Sequence, residues 1–155
     1  MTQFGLATFG IPAFSQLKEL SLAMPDAETE TISWMAKTIQ GAKSLRKLEI
    51  LFNWNCKSTL LLSQLSSVGC LPELQELTFS RMSFDSSAAL GMFLYNIRLS
   101  LRSITFSVVE LELGGWRSIL RELSGGVYRL DSLVLHRVLE SQTQETIPPG
   151  PTVLS

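Results

Sequence analysis

The chain has 155 residues, 45% of them hydrophobic, and its 13 basic and 14 acidic residues leave a net charge of −1. This length and apolar content predict a single folded domain. No basic stripe for nucleic acid is present, no apolar run is long enough to span a membrane, and Met1 to Phe14 lacks the positive opening of a secretory signal.

The N-terminal segment, residues 1–13, carries spaced apolar side chains at Phe4, Leu6, Phe9 and Ile11. Two interpretations stay open for it. It is either a cap over the apolar interior that begins at Leu17, or the remnant of an upstream structural unit.

From Leu17 onward, a short apolar phrase of the form L-x-x-L-x-(L/I/F) returns five times. The phrases begin at positions 17, 45, 74, 101 and 130, so the steps are 28, 29, 27 and 29 residues. Within each phrase, apolar and other side chains alternate, which is the pattern of a half-buried strand. A constant period in this range indicates stacked repeats. The phrases are Leu17/Leu20/Leu22, Leu45/Leu48/Ile50, Leu74/Leu77/Phe79, Leu101/Ile104/Phe106 and Leu130/Leu133/Leu135.

The intervals between the phrases have the apolar periodicity of an α-helix. Apolar residues recur there at i, i+3, i+4 and i+7, which places them on one face of an α-helix. The four stretches begin at Ile32, Leu61, Leu90 and Trp116, and only the second is imperfect, with Gln64 at the i+3 place. Residues suited to N-terminal caps precede three of the helices. They are Asp26, the run Asp85-Ser86-Ser87 and Gly114-Gly115.

Alternation of strands and helices predicts an α/β fold. A helix between each pair of strands favours a parallel sheet with right-handed crossovers. We expect about five short strands, with the helices together on one face.

The phrase resembles the leucine-rich repeat, whose core reads L-x-x-L-x-L-x-x-N/C-x-L. The period of 27–29 residues is similar to that of the helix-bearing, ribonuclease-inhibitor-like subclass, and the resemblance covers residues 14–140. It implies a solenoid in the form of a right-handed horseshoe, with strands inside the curve and helices outside. Only Asn53 matches the asparagine position, which implies an irregular horseshoe with looser loops. The other equivalents are Pro25, Met82, Val109 and Val138.

These degenerate repeats also resemble the C-terminal repeat region of fungal F-box proteins, in phrases such as LRSITFSVVELELGGWRSILREL and LDSLVLHRV. That resemblance implies recognition of a ubiquitin-ligase substrate. An F-box needs a helical segment opened by a Leu-Pro pair. Leu71-Pro72 lies inside the third repeat, and the stretch before Leu17 is too short, so we expect the F-box to be lacking.

The C-terminal segment, residues 141–155, is polar and then contains Pro148-Pro149-Gly150-Pro151. This composition predicts a disordered, Pro-rich tail. The two cysteines, Cys56 and Cys70, are expected to be buried or half-buried free thiols. Their spacing is not that of a metal site, and no cofactor is predicted.

The sequence favours a function other than catalysis. Its one histidine, His136, falls on an open strand position, and neither a G-x-S-x-G turn nor a phosphate-binding glycine loop occurs. The first hypothesis is a cytoplasmic or nuclear protein-interaction scaffold, the substrate-recognition part of an F-box-like protein, with a protein partner of unknown identity. The alternative is a fragment or degenerate copy of a longer repeat protein with no independent activity, whose exposed ends favour self-association. A hydrolase using a serine and His136 is a third hypothesis.

Alternate strand residues are predicted to line the concave sheet face. They form three columns, led by Glu19, Ser21 and Ala23. For Trp54, packing over the neighbouring loop and contact with a partner both stay open. The predicted protein-binding residues are Glu19, Lys47, Glu49, Leu51, Phe52, Trp54, Glu76, Thr78, Arg81, Thr105, His136 and Arg137.

Overall fold

A computed structural model describes residues 15–66 and 71–140, and the backbone of residues 152–154. Strands and helices alternate along the chain. The elements are β1 (Glu19–Met24), α1 (Thr29–Gly41), β2 (Lys47–Lys57), α2 (Thr59–Leu65), β3 (Glu76–Phe84), α3 (Ser87–Asn96), β4 (Ser103–Leu111), α4 (Trp116–Leu123), β5 (Ser132–His136), β6 (Leu139–Glu140) and β7 (Thr152–Leu154).

Strands β1 to β5 form a parallel sheet in which neighbours in the sequence are neighbours in space. This confirms the α/β class, with a parallel sheet of five strands that alternate with helices. The apolar phrases lie in register, so that equivalent residues of successive strands form continuous rows. One such row is Leu20, Leu48, Leu77, Ile104 and Leu133, and all five side chains are buried.

Two short strands extend the sheet beyond the predicted five. β6 pairs in parallel with the end of β4, and β7 pairs antiparallel with β5. Residues 152–154 are therefore a strand instead of the disordered tail predicted there. The rest of that predicted tail and the predicted N-terminal segment, residues 1–13, lie outside the described residues.

The helices pack against the apolar face of the sheet because each presents one apolar stripe. In α1, the predicted anchors Ile32, Met35, Ala36 and Ile39 are all buried. The anchors of α3 and α4 are likewise buried or packed against the core, and in α2 Leu62 joins Leu61 and Leu65. Burying one such side chain contributes about 1.5–3 kcal/mol.

Aromatic side chains join the repeats at the centre of the core. The Phe79 ring of β3 has its centroid 5.9 Å from that of Phe84, 6.0 Å from Phe93 and 5.8 Å from Phe106. Phe106 in turn lies 5.6 Å from Trp116. These separations are those of favourable aromatic pairs. A single interior is therefore shared by β3, α3, β4 and α4.

The helix N-termini are capped partly as predicted. The Ser86 hydroxyl accepts a hydrogen bond from the Ala89 N–H, at 3.2 Å, as a Ser before α3 should. Before α1 the capping position is Glu28, and Asp26 accepts from its N–H at 3.0 Å. Before α4 the cap is Gly115, as predicted.

A backbone irregularity recurs at one position in three repeats. Arg81, Val108 and Arg137 have φ of 61°, 56° and 57°, the left-handed region that a residue other than glycine rarely adopts. In β2 the irregularity is larger. Residues 52–55 of β2 stand opposite the single Arg81, because Leu51 pairs with Ser80 and Cys56 pairs with Met82.

This bulge corrects the predicted alignment of the asparagine position. Cys56 occupies the buried place equivalent to Met82, Val109 and Val138, whereas Asn53 is exposed. The constant spacing of the apolar phrases gives no sign of this shift in register. The extra residues of β2 are balanced by a shorter connection to α2, which begins at Thr59, so the repeat length stays constant.

Candidate functional site

The sheet face opposite the apolar rows carries the alternate strand residues, and we call it the open face. Its residues are exposed or half-buried, while those of the other face are buried under the helices. The three columns predicted from alternation are confirmed, because the residues of each column pair with one another across β1 to β5. We call each of these sets a row of the open face. The rows are Glu19, Lys47, Glu76, Ser103, Ser132; Ser21, Glu49, Thr78, Thr105, Val134; and Ala23, Leu51, Ser80, Ser107, His136.

The first row of the open face alternates in charge across β1 to β3. Glu19, Lys47 and Glu76 are exposed and lie side by side on neighbouring strands. Opposite charges at such directly paired positions stabilise a sheet. In the second row the Ser21 hydroxyl donates to Glu49 Oε1 at 3.0 Å. On β4 and β5 the rows consist of small side chains apart from the exposed His136.

Two large apolar side chains of β2 are exposed. Leu51 is 38% exposed and Trp54 is 64% exposed. Leu51 belongs to the third row, and Trp54 projects from the bulge that follows it. The exposure of the indole shows that Trp54 is not a core residue.

Hydrogen bonds hold the bulge on both sides of Trp54. Arg81 Nη1 donates to the Asn53 carbonyl oxygen at 3.2 Å, and Asn55 Nδ2 donates to Glu110 Oε1 at 3.2 Å. The bulge therefore contacts β3 through Arg81 and β4 through Glu110. Each of the two residues that flank Trp54 has a hydrogen bond to another strand.

The prediction that Phe52 belongs to the binding surface is wrong. Phe52 pairs with Met24 and is fully buried. The alternation of β2 places Leu48, Ile50 and Phe52 in the core, so Phe52 is buried although it is the first of the four residues opposite Arg81.

The other predicted residues lie on or beside the open face. Arg81 and Arg137 are exposed immediately beyond the third row. The residues that sequence reasoning missed are Asn55 and Glu110, whose contact spans 55 residues of sequence and gives no local signal. The exposed predicted residues are Glu19, Lys47, Leu51, Trp54, Glu76, Arg81, His136 and Arg137, and the half-buried ones are Glu49, Thr78 and Thr105.

No protein-family model, curated protein or solved structure matches this chain. The open face is therefore interpreted from its own geometry.

Reactive side chains are scarce in the described part of the chain. Cys56 is a buried free thiol, as predicted, and its pKa is raised by burial and by the Asp26 carboxylate. A raised pKa keeps it protonated and unreactive at neutral pH. Cys70 lies outside the described residues. Among residues 15–66 and 71–140, no group of three His, Cys, Asp or Glu side chains is placed to hold a metal ion.

None of the helices in the described ranges is both long and apolar enough to cross a bilayer.

A shallow apolar groove of about 430 Å³ lies on the helix side. It was not predicted, because its lining comes from the end of α3 and the chain around α4. Arg98 stacks on the Tyr95 ring at 3.8 Å from its centroid. Burial and the Glu122 carboxylate raise the pKa of Tyr128 to about 12, so this phenol is protonated at neutral pH. The lining residues are Gly91, Met92, Tyr95, Glu122, Val127 and Tyr128.

Proposed function

We propose that this chain is a non-enzymatic protein-interaction scaffold of the leucine-rich-repeat type, and that a partner protein binds its open face. In this proposal the repeats curve as a right-handed horseshoe with the open face on the concave side. The supporting observation is the exposure of Leu51 on this mainly polar face, together with the exposure of Trp54 in the bulge three residues further along β2.

Leu51 and Trp54 have the properties of binding anchors. A large aromatic side chain at the centre of a contact often contributes 2 kcal/mol or more to affinity, on the order of thirtyfold in Kd. The bonds through Asn53 and Asn55 add to this, because a backbone that is already hydrogen-bonded loses less conformational entropy on binding. The small side chains of β4 and β5, apart from His136, let a partner approach the sheet closely.

The resemblance to the repeat region of fungal F-box proteins supports a narrower proposal. The bound protein would be a substrate delivered to a ubiquitin ligase, in the cytoplasm or nucleus. This narrower proposal is an analogy between sequences, whereas the open face is a feature of this molecule.

The double variant Leu51→Ser/Trp54→Ala tests the proposed function. Both side chains are exposed, so we expect its free energy of unfolding to stay within about 0.5 kcal/mol of the wild type. Proteins captured by the immobilised wild-type chain are identified, and each is titrated against both forms by calorimetry. We expect at least one specific partner to bind the variant roughly thirtyfold more weakly.

A matched control is Leu99→Ser, which removes an apolar side chain, 81% exposed, just beyond the end of α3 on the helix side. It should bind the partner as the wild type does. Equal affinity of the wild type and the double variant for every captured protein would contradict the proposal.

A further inference from the structure

Beyond Leu51 and Trp54, exposed and half-buried side chains of β3, β4 and the residue after β5 lie along one line across the sheet. We call this line the rim track, and it comprises Leu51, Trp54, Arg81, Val108 and Arg137. Neighbouring strands lie about 4.8 Å apart, so the three steps from β2 to β5 cover roughly 14 Å. An extended peptide covers that distance with four or five residues, at about 3.3 Å each.

The two arginines occupy the same repeat position, as does Val108 between them. All three have left-handed backbone, with φ between 56° and 61°, and each follows the third row of the open face. Their side chains therefore leave the backbone in the same way. Arg81 and Arg137 are exposed and two strands apart, with the half-buried Val108 as a low floor between them.

No carboxylate of residues 15–66 and 71–140 forms an ion pair with Arg81 or Arg137. Among the described residues, the ion pairs are Arg46 with Glu73 and Lys57 with Glu112, and neither includes Arg81 or Arg137. Arg81 uses one N–H group on the Asn53 carbonyl, and a guanidinium has five to donate.

Three carboxylates on β4, β6 and the turn after β4 have contacts with groups other than the two arginines, and one of them, Glu112, is paired with a cation. Glu110 accepts from Asn55, and Glu112 accepts from Ser83 at 3.3 Å besides pairing with Lys57 at 3.6 Å. Glu140 accepts from the Trp116 N–H at 3.0 Å. The rim track therefore begins with the apolar side chains of Leu51 and Trp54 and continues with the cations Arg81 and Arg137, which Val108 separates.

We propose that the rim track binds an extended acidic segment of a partner protein that carries one large apolar side chain. The apolar side chain packs on Leu51 and Trp54, and carboxylates of the following residues bind Arg81 and Arg137. Guanidinium and carboxylate match in a two-bond geometry, which a neutral partner cannot offer. This inference rests on the proposed function and specifies the chemistry of the partner.

Charge at the other end of the strands gives the segment a preferred position. Glu19 and Glu76 lie in the first row and Glu49 in the second, away from the rim track. An acidic segment is repelled from these rows and attracted to the arginines, so the field of the face sets its placement.

The inference is tested by selection from a random peptide display library on the full chain. We expect enriched peptides to contain a large apolar residue followed, within about five residues, by Asp or Glu. A synthetic copy of the most enriched peptide is then titrated against Arg81→Gln/Arg137→Gln. We expect at least roughly tenfold weaker binding, with a difference that shrinks as salt is raised.

The matched control is Arg117→Gln/Arg121→Gln, which makes the same change of charge on two exposed residues of α4. It should leave peptide affinity unchanged. Glutamine is chosen because it keeps most of the side-chain length and meets the same backbone constraint as arginine. The single variants Arg81→Gln and Arg137→Gln, each with a smaller loss, serve if the double variant does not fold.

The outcomes separate this inference from the proposed function. Enriched peptides that need Leu51 and Trp54 but are neutral or basic, and that bind Arg81→Gln/Arg137→Gln normally, would overturn the acidic segment and leave the binding face in place. Peptides that bind both double variants as they bind the wild type would overturn the acidic segment, and the capture test with whole proteins would then decide the proposed function. A selection that enriches no peptide would overturn the acidic segment alone, because the capture test with whole proteins still decides the proposed function.

Discussion

Phe52 and Trp54 are two positions apart, yet one is fully buried and the other is 64% exposed. Strict alternation would place both on the same face of β2. The bulge over residues 52–55 changes the register between them. Alternation is a local property and predicted the three rows of the open face, but the end of the alternation depends on the neighbouring strand. Sequence reasoning therefore placed Leu51 on the correct face and Phe52 on the wrong one.

Tyr128 offers a titration that reports on packing at single-residue resolution. Its pKa is raised to about 12 by burial and by Glu122, compared with about 10 for an ordinary phenol. Because the folded state holds the proton more tightly, this contribution to stability is complete below about pH 10. It is lost as the pH rises through about 12.

The check is the ultraviolet absorbance of tyrosinate, compared between the wild type and Tyr128→Phe. The step that is missing in the variant should have its midpoint near pH 12. Urea unfolding should show that stability falls between about pH 10 and pH 12 by more in the wild type than in Tyr128→Phe. A midpoint near pH 10 would show that the phenol is not buried in the folded chain.

The helix caps show how far local sequence determines an element. Ser86 was predicted as a cap because its acceptor and the Ala89 N–H are three residues apart. The carboxylate that caps α4 comes from Glu140, whose Oε2 accepts from the Trp116 N–H 24 residues earlier. Gly115 permits this approach, because an added Cβ there would lie 3.1 Å from the Glu140 carboxylate. No local pattern signals such a contact.

Glu140→Ala should destabilise the chain by about 1 kcal/mol, because the first turn of α4 loses its acceptor. Glu140→Gln should cost less, since its amide oxygen can still accept the Trp116 N–H. The measurement is the free energy of unfolding in urea. Glu19→Ala, at an exposed position of β1, is the control and should change it by less than about 0.5 kcal/mol. Equal values for Glu140→Ala and Glu19→Ala would show that the cap contributes nothing.

The order of the five parallel strands was predictable because one repeat cannot bury its leucine face alone. Each phrase is covered by the next, so strands that follow one another in sequence also pair. β6 and β7 could not be predicted in this way. They lie outside the phrases, and their pairing depends on the edge that β4 and β5 leave available. The same holds for the bulge contact between Asn55 and Glu110.

The open face depends on strands β1 to β5 lying side by side in chain order. This order is measured by electron paramagnetic resonance on spin labels at Glu19→Cys and Ser132→Cys, with Cys56 and Cys70 replaced by alanine. These positions share the first row and are separated by four strand spacings, about 19 Å between backbones. The pair Glu19→Cys and Glu76→Cys, two spacings apart, should give about 10 Å. A first distance equal to or shorter than the second would contradict the stacked order and, with it, the proposed binding face.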